Sequence, residues 1–161
     1  RNLNMYVVSE DRSGKLIVAS HTLKENLKTW INRSKMINDT IDILDAKIIN
    51  IRINFTAVSE LGVNKYDVLS AATFRLQEHF NRAYDIGEPI LITDIYRELN
   101  DVVGVADTID VKLEDVTGGF YSDIGFNVYE NLSPDGRVLY IPEDSIFEIK
   151  FATEDIKGTI K

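Results

Sequence analysis

Eight residues from Ile49 to Thr56 alternate without a break: Ile49, Ile51, Ile53 and Phe55 are apolar, while Asn50, Arg52, Asn54 and Thr56 between them are polar. Successive side chains of an extended chain point to opposite faces, so this run predicts a strand with one buried face and one wet or contacting face. Ile109, Val111 and Leu113 alternate in the same way with Asp110, Lys112 and Glu114. Strands of a doubly wound parallel sheet are buried on both faces and read as continuous apolar runs. Two amphipathic strands therefore favour an antiparallel sheet with helices on one side.

Helical spacing fills the gaps between these runs. Asn64 can cap a long helix carrying Leu69, Ala72, Thr73, Leu76 and Phe80 along one side and ending before Gly87. Earlier, Thr22 and Glu25 have the spacing of a capping box, and Leu23, Leu27, Trp30 and Ile31 follow on one stripe, which predicts a helix with Trp30 in the core. Met5 to Ser9 reads as a short strand that the turn Asp11-Arg12-Ser13-Gly14 returns as Leu16 to Ala19. Ile41 to Leu44 reads as another extended run, bent at Asp45-Ala46. The expected fold is α+β: residues 1–116 form a two-layer sandwich of an antiparallel sheet with helices on one face, followed by a C-terminal β-rich extension over residues 117–161.

Gly118-Gly119 marks the change in composition that sets this boundary. Beyond it, Phe126 to Glu130, the turn Ser133-Pro134-Asp135-Gly136, Arg137 to Ile141, and Ile146 to Phe151 suggest a hairpin and a further strand. Eight carboxylates face four cations after residue 116, which accounts for half of the formal net charge of -8. Phe120, Tyr121, Phe126, Tyr129, Tyr140, Phe147 and Phe151 make the stretch too aromatic for a disordered acidic leash. The expectation is an arm that pairs with a neighbouring subunit. The alternative is a tail that extends its own sheet.

The search for chemistry returns little. An acidic chain with a pI near 4.8 lacks the basic face that phosphate contacts require, and Lys24, Lys28, Arg33 and Lys35 read as a solvated helix face. The absence of cysteine removes thiolate zinc sites, disulfides and cysteine nucleophiles. No apolar run approaches the roughly 18 residues that span a bilayer. His21 and His79 have no partner at metal-ligand spacing, Gly62-Val63-Asn64-Lys65 lacks the spacing of a phosphate-binding loop, and Asp11 to Gly14 falls short of a calcium loop. Glu10/Asp11, Asp94/Glu98 and Glu143/Asp144 are carboxylate pairs by proximity, each explained by a turn or a helix start. No catalytic, cofactor-binding or metal-ligating residue is assigned, and neither a small-molecule substrate nor a membrane is expected as a partner. Arg1 in place of an initiator Met predicts an excised piece of a longer protein, or a processed one.

One further stretch has a recognisable order. Gly87-Glu-Pro-Ile-Leu-Ile-Thr-Asp-Ile-Tyr-Arg-Glu-Leu-Asn-Asp-Val-Val-Gly-Val-Ala-Asp107 reads as turn, helix, turn, strand: Thr93 as cap, Asp94 in the first turn, Ile95 and Leu99 on one face, Gly104 left-handed and Val105 opening a strand. It resembles the C-terminal core of the J-type baseplate proteins of contractile-tailed bacteriophages. The tail from Asn131-Leu-Ser-Pro-Asp-Gly-Arg through Ile146-Phe-Glu-Ile-Lys-Phe to Asp155-Ile-Lys-Gly-Thr-Ile-Lys161 resembles the end of the baseplate wedge subunits of T4-like phages. What the resemblance implies is a structural subunit of a virion's tail baseplate, assembled in the host cytoplasm and without cofactor or active site. It would pair with copies of itself as a dimer, join other wedge proteins, and build a ring around the hub. The competing expectations are a tail-associated carboxylate hydrolase acting on cell-wall polysaccharide, and a peptide-binding module.

Overall fold

The strand expected around Ile51 is the axis of the molecule. A computed structural model describes residues 2–161 and leaves Arg1 outside the described residues. In chain order it contains β1 (Asn2–Val7), β2 (Ser9–Glu10), β3 (Leu16–Ile17), α1 (His21–Asn32), β4 (Thr40–Asp45) and β5 (Lys47–Ser59). There follow α2 (Lys65–His79), β6 (Ile90–Leu91), α3 (Ile92–Asn100), β7 (Val105–Asp115) and α4 (Val128–Asn131), then β8 (Val138–Leu139), β9 (Ser145–Glu148), α5 (Ala152–Asp155) and β10 (Ile156–Ile160). The α+β class read from the sequence is the class observed.

Ile49, Ile51, Ile53, Phe55 and Ala57 are all buried in one core with α2, which packs on β10, and α3, which packs on β7. α2 offers Val68, Ala72 and Leu76 to this core, while α3 offers Ile92, Ile95 and Leu99. Asn64 caps α2 as expected, its Oδ1 accepting from the Tyr66 N–H at 3.1 Å. On the far face Arg52, Asn54 and Thr56 stay half-exposed. Asn50 departs from the alternation: it is buried, because the chain after β7 and the tail close over that end of the strand.

The sheet is mixed rather than antiparallel. β7 runs antiparallel to β5 over Ile51↔Asp115 to Ser59↔Val105, but β9 and β10 lie parallel to β5, at Lys47↔Ser145 to Asn50↔Glu148 and at Ile53↔Ile156 to Ala57↔Ile160. Residues 117–161 thus fold back onto the body, with Val128, Leu139, Ile146, Phe147 and Ile156 entering the same core as β5 and α2. Gly118-Gly119 marks a change in composition inside one continuous core. Where Gly158 passes Phe55, a Cβ would stand 2.1 Å from the ring Cζ, so only glycine lets β10 lie that close.

Several local expectations shift by a residue or two. α1 starts at His21 with Ser20 as cap, its Oγ accepting from the Leu23 N–H at 3.3 Å, because a serine already stands ahead of the Thr22–Glu25 box. α3 begins at Ile92, which places Thr93 inside the helix and leaves Leu91 as an N-cap without a side-chain bond. Ile109 is 51 % exposed, not buried, since β7 bulges there: Thr56 pairs with Asp110 and Ala57 with Thr108, so Ile109 has no partner and Thr108 takes the inner position. Phe126 to Glu130 contains the single helical turn α4 in place of a strand. Gly104 adopts φ +91° between α3 and β7, and a Cβ there would meet Val68 Cγ2 at 2.9 Å. No helix among the described residues is long and apolar enough to cross a membrane.

Candidate assembly surfaces

The first 45 residues contrast with everything after them. Among the described residues of this stretch only Leu16 and Ala19 are buried hydrophobics, and both precede α1. β1 and β4 form a two-stranded parallel sheet, paired from Asn2↔Thr40 to Val7↔Asp45, with no third strand among the described residues. Parallel sheets are ordinarily covered on both faces, and two strands alone are marginal in water.

α1 is the sharpest case. Leu27 and Ile31 are half-buried where the helix packs on β4, but no residue of this 12-residue helix is buried. Trp30, expected in the core, is 66 % exposed beside Leu23 on the outer edge of the stripe, and Met36 and Ile37 beyond the helix stand in solvent. The helix is amphipathic, as the sequence indicates, yet among the described residues nothing closes over the edge that carries Leu23 and Trp30. What holds α1 is polar: Lys24 Nζ reaches Asp45 Oδ2 of β4 at 2.8 Å, an exposed type of pair that contributes about 0 to 1 kcal/mol.

This N-terminal lobe is joined to the body by a polar network the sequence did not reveal. The Leu16 N–H donates to buried Glu148 Oε1 at 2.7 Å, and Asn50 Nδ2 donates to Glu148 Oε2 at 2.9 Å. The Ser122 N–H closes on Asn50 Oδ1 at 2.7 Å. Lys15 Nζ donates to the Lys150 carbonyl and lies over the Phe151 ring. Deeper in, the fully buried Asp155 accepts from Tyr121 Oη at 2.8 Å and the Phe151 N–H at 3.0 Å, with the Arg52 guanidinium 3.7 Å away. Burial and the hydrogen bond to Asp155 push the Tyr121 phenol above its ordinary range.

A second surface has the opposite charge. From Val105 to Glu130 the chain carries Asp107, Asp110, Glu114, Asp115, Asp123 and Glu130 against Lys112 alone. β7 is an edge strand there. A groove of about 410 Å³ opens between its end and α4, with Leu113, Phe126 and Val128 inside and Tyr129 on the lip, 82 % exposed.

The carboxylate pairs lie apart from one another, each in a structural contact. Asp11 folds its own turn, accepting from the Ser13 N–H, Ser13 Oγ and the Lys15 N–H, bonds that hold its carboxyl below the ordinary range. Glu10 ends β2. Asp94 pairs with Arg97 at 3.0 Å, while Glu98 takes Arg75 at 2.8 Å and lies 3.7 Å from His79 Nδ1. His79 otherwise packs edge-on against Phe80, and His21 is exposed at the start of α1. Asp144 bonds Lys47 at 2.7 Å, which lowers its carboxyl below the ordinary range, and Glu143 lies where the backbone passes Gly87. Among the described residues no three His, Asp or Glu side chains are placed to hold a metal ion. No protein-family model and no curated protein sequence matches the chain.

Proposed function

We propose that this chain is a structural assembly subunit, and that the assembly is the tail baseplate of a contractile-tailed phage, in which it pairs with copies of itself and with other wedge proteins. The observation that carries the assembly reading is α1: an amphipathic helix with a tryptophan on its apolar stripe that buries none of its residues. Exposed apolar surface beyond scattered single residues marks a contact site in a soluble protein. The resemblance of Gly87 to Asp107 and of the tail to baseplate wedge subunits supports the identity of the assembly. Carboxylates occupied by turns and ion pairs, and a lobe without its own core, both suit a part whose work is contact.

Reconstitution tests the reading. The purified chain, mixed with the other wedge proteins of a T4-like baseplate, should enter a stable complex that sediments together. Cleavage of cell-wall polysaccharide by the purified chain, abolished by changing a single Asp or Glu, would replace this reading with the hydrolase.

A further inference from the structure

The two surfaces described above differ in sign as well as place, and we infer that they dock on each other between copies: the outer edge of α1 of one copy seats in the groove between β7 and α4 of a second. This rests on the assembly reading and names its contact. The chain as a whole is strongly acidic at -8, yet residues 21–35 carry Lys24, Lys28, Arg33 and Lys35 against Glu25 alone. Lys24 is held by Asp45 of its own chain, while Arg33, three residues on from Trp30, and Lys35 are exposed and make no ion pair among the described residues; Lys28, two residues before Trp30, lies on the other side of the helix. Across from them in the proposed contact, Glu114 is exposed on the rim of the groove and Glu130 is exposed next to Tyr129 on its lip. Their carboxylates meet Arg33 and Lys35 while Trp30, the side-chain type most enriched at binding hot spots, covers half-buried Phe126 and exposed Tyr129.

Complementary sign fixes which way round the copies meet, suppresses like-on-like contacts, and makes association salt-sensitive. Because donor and acceptor are different patches, each docked copy keeps one free groove and one free helix. Such a contact is heterologous and propagates; it closes into a ring when the rotation per copy allows.

Sedimentation velocity of the whole chain over a concentration series tests this. Wild type should associate with rising concentration and dissociate as salt is raised. Trp30→Ser should weaken association at least about tenfold. The double change Arg33→Glu/Lys35→Glu, and separately Glu114→Lys/Glu130→Lys, should each be monomeric alone. Mixed, they should associate again, since the acidic helix end of the first meets the basic groove of the second and the reverse pairing is also complementary. Trp30 and these four side chains are exposed, and matching circular dichroism spectra confirm that the variants fold. Self-association that ignores every one of these changes overturns the α1 contact and leaves the assembly reading standing on another surface. A chain monomeric at every concentration also overturns it, and entry into a complex with the other wedge proteins then decides the assembly reading separately.

Discussion

The N-terminal lobe, residues 2–45, and the body, residues 46–161, are built from similar patterns with different outcomes. Each has an amphipathic helix beside strands. In the body α2 and α3 bring Leu76, Ile95 and Leu99 into one core with Ile51 and Ile53, all fully buried. In the lobe the equivalent stripe, Leu23, Leu27 and Trp30, meets two strands too narrow to cover it. An apolar stripe states that a helix needs a cover. It does not state that the cover belongs to the same chain.

The comparison can be broken most severely at the tail. Ending the chain after Val116 removes β9 and β10 and strips Ile146, Phe147 and Ile156 from the core. Each such side chain contributes about 1.5 to 3 kcal/mol by burial, and the total exceeds what a small domain can lose. The truncated chain should show no cooperative thermal transition; a sharp melt would mean that the body is complete without its tail. A smaller break separates the two regions directly. Ile51→Ala should cost about 2 to 5 kcal/mol in a denaturant titration, and Trp30→Ala below about 0.5 kcal/mol at a dilution where the chain is monomeric. Equal losses at the two positions would show that α1 packs on its own chain after all.

The smallest effect sharpens the account of the body's surface. The Arg82 guanidinium holds the Glu88 carboxyl below its ordinary value, and Arg82 in turn lies over the Tyr84 ring. A depressed folded value contributes stability that is present above the unfolded value and lost as pH falls through the folded one. Glu88→Gln should therefore cost below about 1 kcal/mol at pH 7, and its difference from wild type should vanish as pH falls below the carboxylate range. A difference that persists in acid would assign the effect to packing.

Much of the fold is legible in its residues. The alternation at 51–56, the Asn64 cap, the turn at Asp11 to Gly14, the Ile95/Leu99 face and the left-handed Gly104 each express a local rule, and each is present. What escapes is whatever depends on distant partners. Ile109 continues a perfect alternation, but the bulge that turns it outward is set by its pairing with β5. Asn50 looks wet until Glu148 and Ser122, many residues away, close over it. Parallel pairing of the tail with β5 leaves no periodic trace distinct from an antiparallel one. At the candidate site both ingredients of α1, the stripe and the cations, are visible in the sequence. Their exposure is not, because the sequence does not say how much of the stripe two strands can cover.

The pairing of Ile53 with Ile156 has a consequence for how the protein is made. At roughly 5 to 20 residues per second, synthesis delivers β10 about 5 to 20 s after β5. Over that interval one edge of the longest strand among the described residues stands unsatisfied on the nascent chain. A contact spanning this much sequence is costly to close by chance and folds slowly. Production of the protein is therefore a race between completing its own sheet and sticking to other unfinished chains, and the outcome should turn on translation rate, temperature and the supply of chaperones.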